Sequence, residues 1–90
     1  MLPAAIGNFT NLRELNAEFN CLTKLPDEIK QLRHLENLKL HSNKLTELPD
    51  VFDSLDNLLV VQLGCNELVG LPDSFASLVR LRWLSLYNNL

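Results

Sequence analysis

The chain is poor in the residues that usually announce chemistry. Of its 90 residues, three are glycine, two cysteine, one tryptophan and one tyrosine. Aromatic residues make up 7% of the chain and apolar residues 47%, so any core has to be aliphatic. Polar residues interrupt the leucines at short intervals, which rules out a membrane span, and no membrane insertion is expected. The formal net charge is −3 with both signs interspersed. There is therefore no basic stripe to neutralise nucleic-acid phosphates and no polybasic segment for an anionic leaflet. Residues 1–6 lack a basic stretch followed by an apolar run, and no secretory signal is expected there. A nucleophile with its base, a carboxylate pair, a metal cluster and a glycine-rich phosphate loop are all missing. No enzyme activity is expected, and no catalytic, cofactor or metal residue is assigned.

What is present is a repeat of 23 residues without insertions. Leu12, Leu35, Leu58 and Leu81 are one register of it, and Asn20, Asn43, Asn66 and Asn89 a second. Pro3, Pro26, Pro49 and Pro72 are a third and account for every proline in the chain. Residues 1–11 are a partial unit, 12–34, 35–57 and 58–80 are full units, and 81–90 are a second partial unit. In Leu38-Lys39-Leu40 and Leu84-Ser85-Leu86, the period of two sends leucines inward and the intervening residue outward, as in a short strand. Strands a full unit apart must run parallel, with the rest of each unit as the crossover. Leu25, Ile29 and Leu32, with their counterparts Leu48, Phe52, Leu55 and Leu71, Phe75, Leu78, have the spacing of one helical face. A turn or two of helix is predicted, with Pro26, Pro49 and Pro72 in its first turn and Asp27, Asp50 and Asp73 at its positive end. The asparagines offer both a donor and an acceptor to backbone groups stranded inside the stack, and four in register predict a ladder.

Through LxxLxLxxNxL followed by LPxxI/F, the chain resembles the leucine-rich-repeat family over essentially its whole length. Its 23-residue LP form is similar to an intracellular subgroup that includes Ras-binding and cell-polarity scaffold proteins. The resemblance implies an α/β solenoid, with parallel strands on the concave face, short helical or irregular convex segments, and a protein partner held in the hollow. Two departures stand out. Ala17 occupies the inner site filled by Leu40, Leu63 and Leu86, which predicts a locally underfilled core or a closer backbone approach. The pattern also begins and ends mid-unit, so both ends are read as uncapped and self-association through them is an expectation.

The concave face is expected to carry the outward strand residues. Most are polar, but Leu59, Val60, Trp83 and Tyr87 are apolar or aromatic and form the leading candidate protein-binding surface, with Lys39, His41 and Phe19 as further contacts. Gly64, between His41 and Tyr87, predicts a shallow notch. His41 and Cys65 fall on neighbouring strands with no third group to orient them, and read as unrelated surface residues. Cys21 and Cys65 are two units apart, about 10 Å from the spacing of neighbouring strands, beyond the reach of a disulfide. Free thiols favour a reducing compartment, and a cytoplasmic scaffold is the leading expectation. The alternatives are an extracellular recognition segment, for which Asn8-Phe9-Thr10 would be a glycan acceptor, and the targeting domain of an enzyme whose catalytic part lies elsewhere.

Overall fold

A computed structural model describes residues 2–90. Four three-residue strands, β1 (Glu14–Asn16), β2 (Asn37–Lys39), β3 (Val60–Gln62) and β4 (Trp83–Ser85), form one parallel sheet in chain order. Partners are offset by a full repeat: Glu14 pairs with Asn37, Asn37 with Val60, and Val60 with Trp83. The crossovers carry four 3-10 turns, Ala4–Asn8, Asp27–Gln31, Phe52–Ser54 and Asp73–Ser77. The result is a leucine-rich-repeat solenoid, with the sheet on one side and the turns on the other.

The helical legs are 3-10 rather than α-helical, and each proline sits before its turn rather than inside it. Pro26 caps the second turn in an extended conformation, with φ −71° and ψ 149°. Its carbonyl accepts from Ile29 N–H, the Ile29 carbonyl from Leu32, and the Leu32 carbonyl from Leu35, at 3.2, 3.0 and 3.0 Å. The helix ends at Gln31, but the three-residue hydrogen-bond step runs on past it and carries Ile29, Leu32 and Leu35 into the core. All three are fully buried. Each such leucine or isoleucine contributes about 1.5–3 kcal/mol relative to exposure.

The third turn is shorter, and its neighbour explains why. Where Pro26 and Pro72 receive the N–H three residues on, Phe52 N–H instead donates to Ser74 Oγ of the following unit at 3.0 Å. Asp50 lies outside this turn, its Oδ1 accepting from Ser74 N–H at 3.0 Å. Ser74 thus satisfies one backbone group across the repeat boundary and is held by another. Phe52 is buried against Phe75, ring centroids 4.5 Å apart.

The asparagine ladder ties each unit to the one before it. Asn43 Oδ1 accepts from Leu22 N–H, and its Nδ2 donates to the carbonyls of Ala17 and Leu40, at 3.1, 3.0 and 2.9 Å. Asn66 repeats this with Leu45 N–H and the Leu40 and Leu63 carbonyls, and Asn89 with Leu68 N–H and the Leu63 and Leu86 carbonyls. Asn43 and Asn66 are buried, whereas Asn20 is exposed and bonds only within its own unit, to the Ala17 and Glu18 carbonyls. Ala17 is buried in the inner strand position, its carbonyl receiving amides from both Asn20 and Asn43.

Candidate functional site

The outward residues of β1–β4 form the exposed face of the sheet, and its two halves differ in kind. Across β1 and β2 the charges answer one another. Arg13 Nη1 lies 3.3 Å from Glu36 Oε2, Lys39 Nζ 3.8 Å from Glu14 Oε2, and His41 Nε2 3.3 Å from Glu18 Oε2. The last contact is ionic only when the imidazole carries its second proton. Phe19 packs edge-on against the His41 ring, centroids 5.1 Å apart, and is itself 75% exposed. Lys39 and His41 are thus engaged within the chain. Cys65 accepts from Asn88 Nδ2 at 3.6 Å, and both cysteines are free thiols.

Across β3 and β4 there is one charged side chain, Arg82, exposed and without an ion pair among the described residues. Val60 and Trp83 are direct strand partners, Val60 half-buried and Trp83 61% exposed. Leu59 lies half-buried at the start of the strand, in a cleft it shares with Val79 and Arg82. Tyr87 is four residues beyond Trp83 and two past the end of β4. The polar pair Gln62 and Ser85 stands between them. The apolar candidates therefore form two groups, Leu59, Val60 and Trp83 at one end of the strands and Tyr87 at the other, rather than a single cluster.

The notch expected at Gly64 is already filled. The Tyr87 ring lies over the glycine so closely that a Cβ there would sit 2.4 Å from Tyr87 Cε1. Gly64 is buried, and its lack of a side chain is what seats the tyrosine. Between the halves, Asn37 has a buried Oδ1 with no hydrogen-bond partner among the described residues.

One feature of this rim is silent in the sequence. Phe19, Ser42, Cys65 and Asn88, each preceding a ladder asparagine, all adopt left-handed backbone with φ of 54° to 62°. This conformation swings the chain off the strand while the N–H of Phe19, Ser42 and Cys65 reaches the carbonyl of His41, Gly64 and Tyr87 in the next unit. No glycine occupies the register, so only Asn88 carried a signal. A phenylalanine held there is strained, because its Cβ crowds the backbone.

Among the described residues, no three His, Cys, Asp or Glu side chains are placed to hold a metal ion, and no helix is long and apolar enough to cross a membrane.

The profile of the family described as leucine-rich repeat region matches residues 3–89, and the chain belongs to that family. A comparison with curated proteins returns no match. Among solved structures, the chain is similar to a leucine-rich-repeat protein of Leptospira interrogans, with 41% identity and a TM-score of 0.93. It is also similar to a TDR receptor, at 33% identity and TM-score 0.88. A third similar structure is the Arabidopsis receptor kinase HAESA, solved with the peptide hormone IDA and a co-receptor, at 25% and 0.74. Each similarity covers 98% of this chain, which spans 22%, 16% and 19% of those chains respectively.

Proposed function

We propose that the chain is a protein-docking module whose partner seats on β3 and β4, with Val60 and Trp83 as the apolar contact, Leu59 beside them and Tyr87 as a second anchor. The observation that carries this reading is the asymmetry of the face: the first two strands pair Arg13 with Glu36 and Lys39 with Glu14, while the last two leave an aromatic surface beside an arginine that has no ion pair among the described residues. Large aromatic side chains give binding energy at small entropic cost, and an unpaired guanidinium favours a carboxylate nearby. The partner is a peptide segment with an apolar side chain close to an acidic one. The peptide hormone held by HAESA supports a peptide as the class of ligand.

Selection of a random peptide display library against the protein tests this. Enriched sequences should pair a large apolar residue with Asp or Glu, and should bind Trp83→Ala at least tenfold more weakly than the parent. Absence of enrichment, or equal binding by the variant, overturns the reading.

The module works within a larger intracellular protein of the kind represented by the Ras-binding and polarity scaffolds, and supplies no catalysis itself. Its two free thiols support a reducing compartment. The competing extracellular reading rests on Asn8, which is exposed at the end of the first 3-10 turn within Asn8-Phe9-Thr10. A mass decrease of native protein on glycosidase treatment would replace the intracellular reading with the extracellular one.

A further inference from the structure

A cavity of about 590 Å³ lies where the first three 3-10 turns end and the chain turns back toward the strands. Its lining is Lys30, Arg33 and His34, the hydroxyls of Thr10 and Ser54, and the amides of Asn11 and Gln31. Every one of these side chains can donate a hydrogen bond, and no carboxylate lines the space, although the chain as a whole is acidic at −3.

The repeat builds this cleft from three successive units. Thr10 and Asn11 occupy the same register positions as Arg33 and His34 one unit later, and Ser54 the same as Gln31 one unit earlier. Gly7 sits where Lys30 stands in the next unit. It is buried, and a Cβ on it would meet Gln31 Oε1 at 2.5 Å and the Glu28 carbonyl at 2.9 Å. The bare glycine therefore lets the first two turns close together beneath Gln31. The backbone at Arg33 is held by Asn57 Nδ2, which donates to its carbonyl at 2.8 Å. The nearest acids in register are Asp53 and Asp56, one unit beyond Lys30 and Arg33. Both are exposed, and neither forms an ion pair among the described residues.

We infer that this cleft binds a small polyanion carrying phosphate or sulfate groups. Arg33 offers a planar fork of donors to a tetrahedral oxyanion, Lys30 a mobile point charge, and the hydroxyls and amides the neutral hydrogen bonds that complete the oxygen shell. The volume is within the range of small-ligand sites, about 300–1,000 Å³. The site is open to solvent, so binding weakens as salt rises. Its lining shares no residue with the docking face and does not depend on it.

The test is a titration of isotope-labelled protein followed by amide NMR, with inorganic pyrophosphate as the phosphate arm, a trisulfated disaccharide as the sulfate arm, and sodium chloride at matched ionic strength as the control. Saturable shifts at Thr10, Asn11, residues 30–34 and Ser54 with either anion support the site, and the arm that saturates at lower concentration identifies the anion as phosphate or sulfate. The Lys30→Gln/Arg33→Gln variant should bind at least tenfold more weakly, while Lys44→Gln, outside the cleft, should bind like the parent. Both variants alter exposed side chains, and their unliganded spectra report the fold directly. Shifts spread over all basic residues, shifts reproduced by sodium chloride, or a double variant within twofold of the parent would overturn the proposal.

Discussion

The first two strands and the last two share one backbone plan and one buried ladder, yet present opposite surfaces. On β1 and β2 the outward side chains are partnered across the strand boundary: Arg13 with Glu36, Glu14 with Lys39, Glu18 with His41. On β3 and β4, Trp83 and Tyr87 stand exposed and Arg82 is unpaired among the described residues. A repeat separates scaffold from surface. The positions that face inward obey the register, and those that face outward are free to diverge because no neighbouring layer packs on them.

The comparison is broken most forcefully by attacking what the halves share. Asn66→Ala would strand Leu45 N–H and leave the Leu40 and Leu63 carbonyls with one asparagine donor each, Asn43 and Asn89, beneath both halves. A loss of about 1–3 kcal/mol in denaturant titration is expected. Asn20→Ala, at an exposed asparagine bonded only within its own unit, should cost much less. Equal costs would mean that the ladder's links between units carry none of the stability.

The halves separate in binding. Trp83→Ala should weaken a selected peptide by about 2 kcal/mol, roughly thirtyfold, with little change in melting temperature, as measured by calorimetry and thermal unfolding. Glu14→Gln/Lys39→Gln, on the self-paired half, should leave the affinity within twofold. A smaller effect is expected of Gly64→Ala. The new methyl displaces the exposed Tyr87 ring, so peptide affinity should fall severalfold while stability drops by less than about 1 kcal/mol, because the ring can swing into solvent. Unchanged affinity would remove Tyr87 from the docking surface.

Two small effects sharpen the account of the paired half. Phe19→Gly relieves a bulky side chain held at φ 56° and should raise stability by up to about 1 kcal/mol, read as a higher unfolding midpoint. A double-mutant cycle on Arg13 and Glu36 should give less than about 1 kcal/mol, falling with salt, since both side chains are largely in water.

Much of this was legible from residue spacing. The LxL alternation marked the strands, the 23-residue register their parallel pairing, and the four asparagines the ladder. The helical legs were legible as apolar faces but not as 3-10 turns. Leu25, Ile29 and Leu32 fit an α-helical spacing, whereas the structure uses the three-residue step through Ile29, Leu32 and Leu35. The spacing of the candidate surface residues along the strands does not show what lies between and beside them. Trp83 and Tyr87 are separated by a polar pair, and the notch at Gly64 is occupied by the tyrosine itself.

The sequence by itself determined the repeat, the inward and outward sides of each strand and the positions of the ladder, because these follow from periodicity and from the need to satisfy buried backbone groups. Tertiary structure alone decided three things: the shortening of the third turn by Ser74, the left-handed column at Phe19, Ser42, Cys65 and Asn88, and the gathering of Lys30, Arg33 and His34 with Thr10 and Ser54 around one cleft. Each depends on contacts between residues about a full unit apart, which no local pattern encodes and which exist only once neighbouring units are stacked.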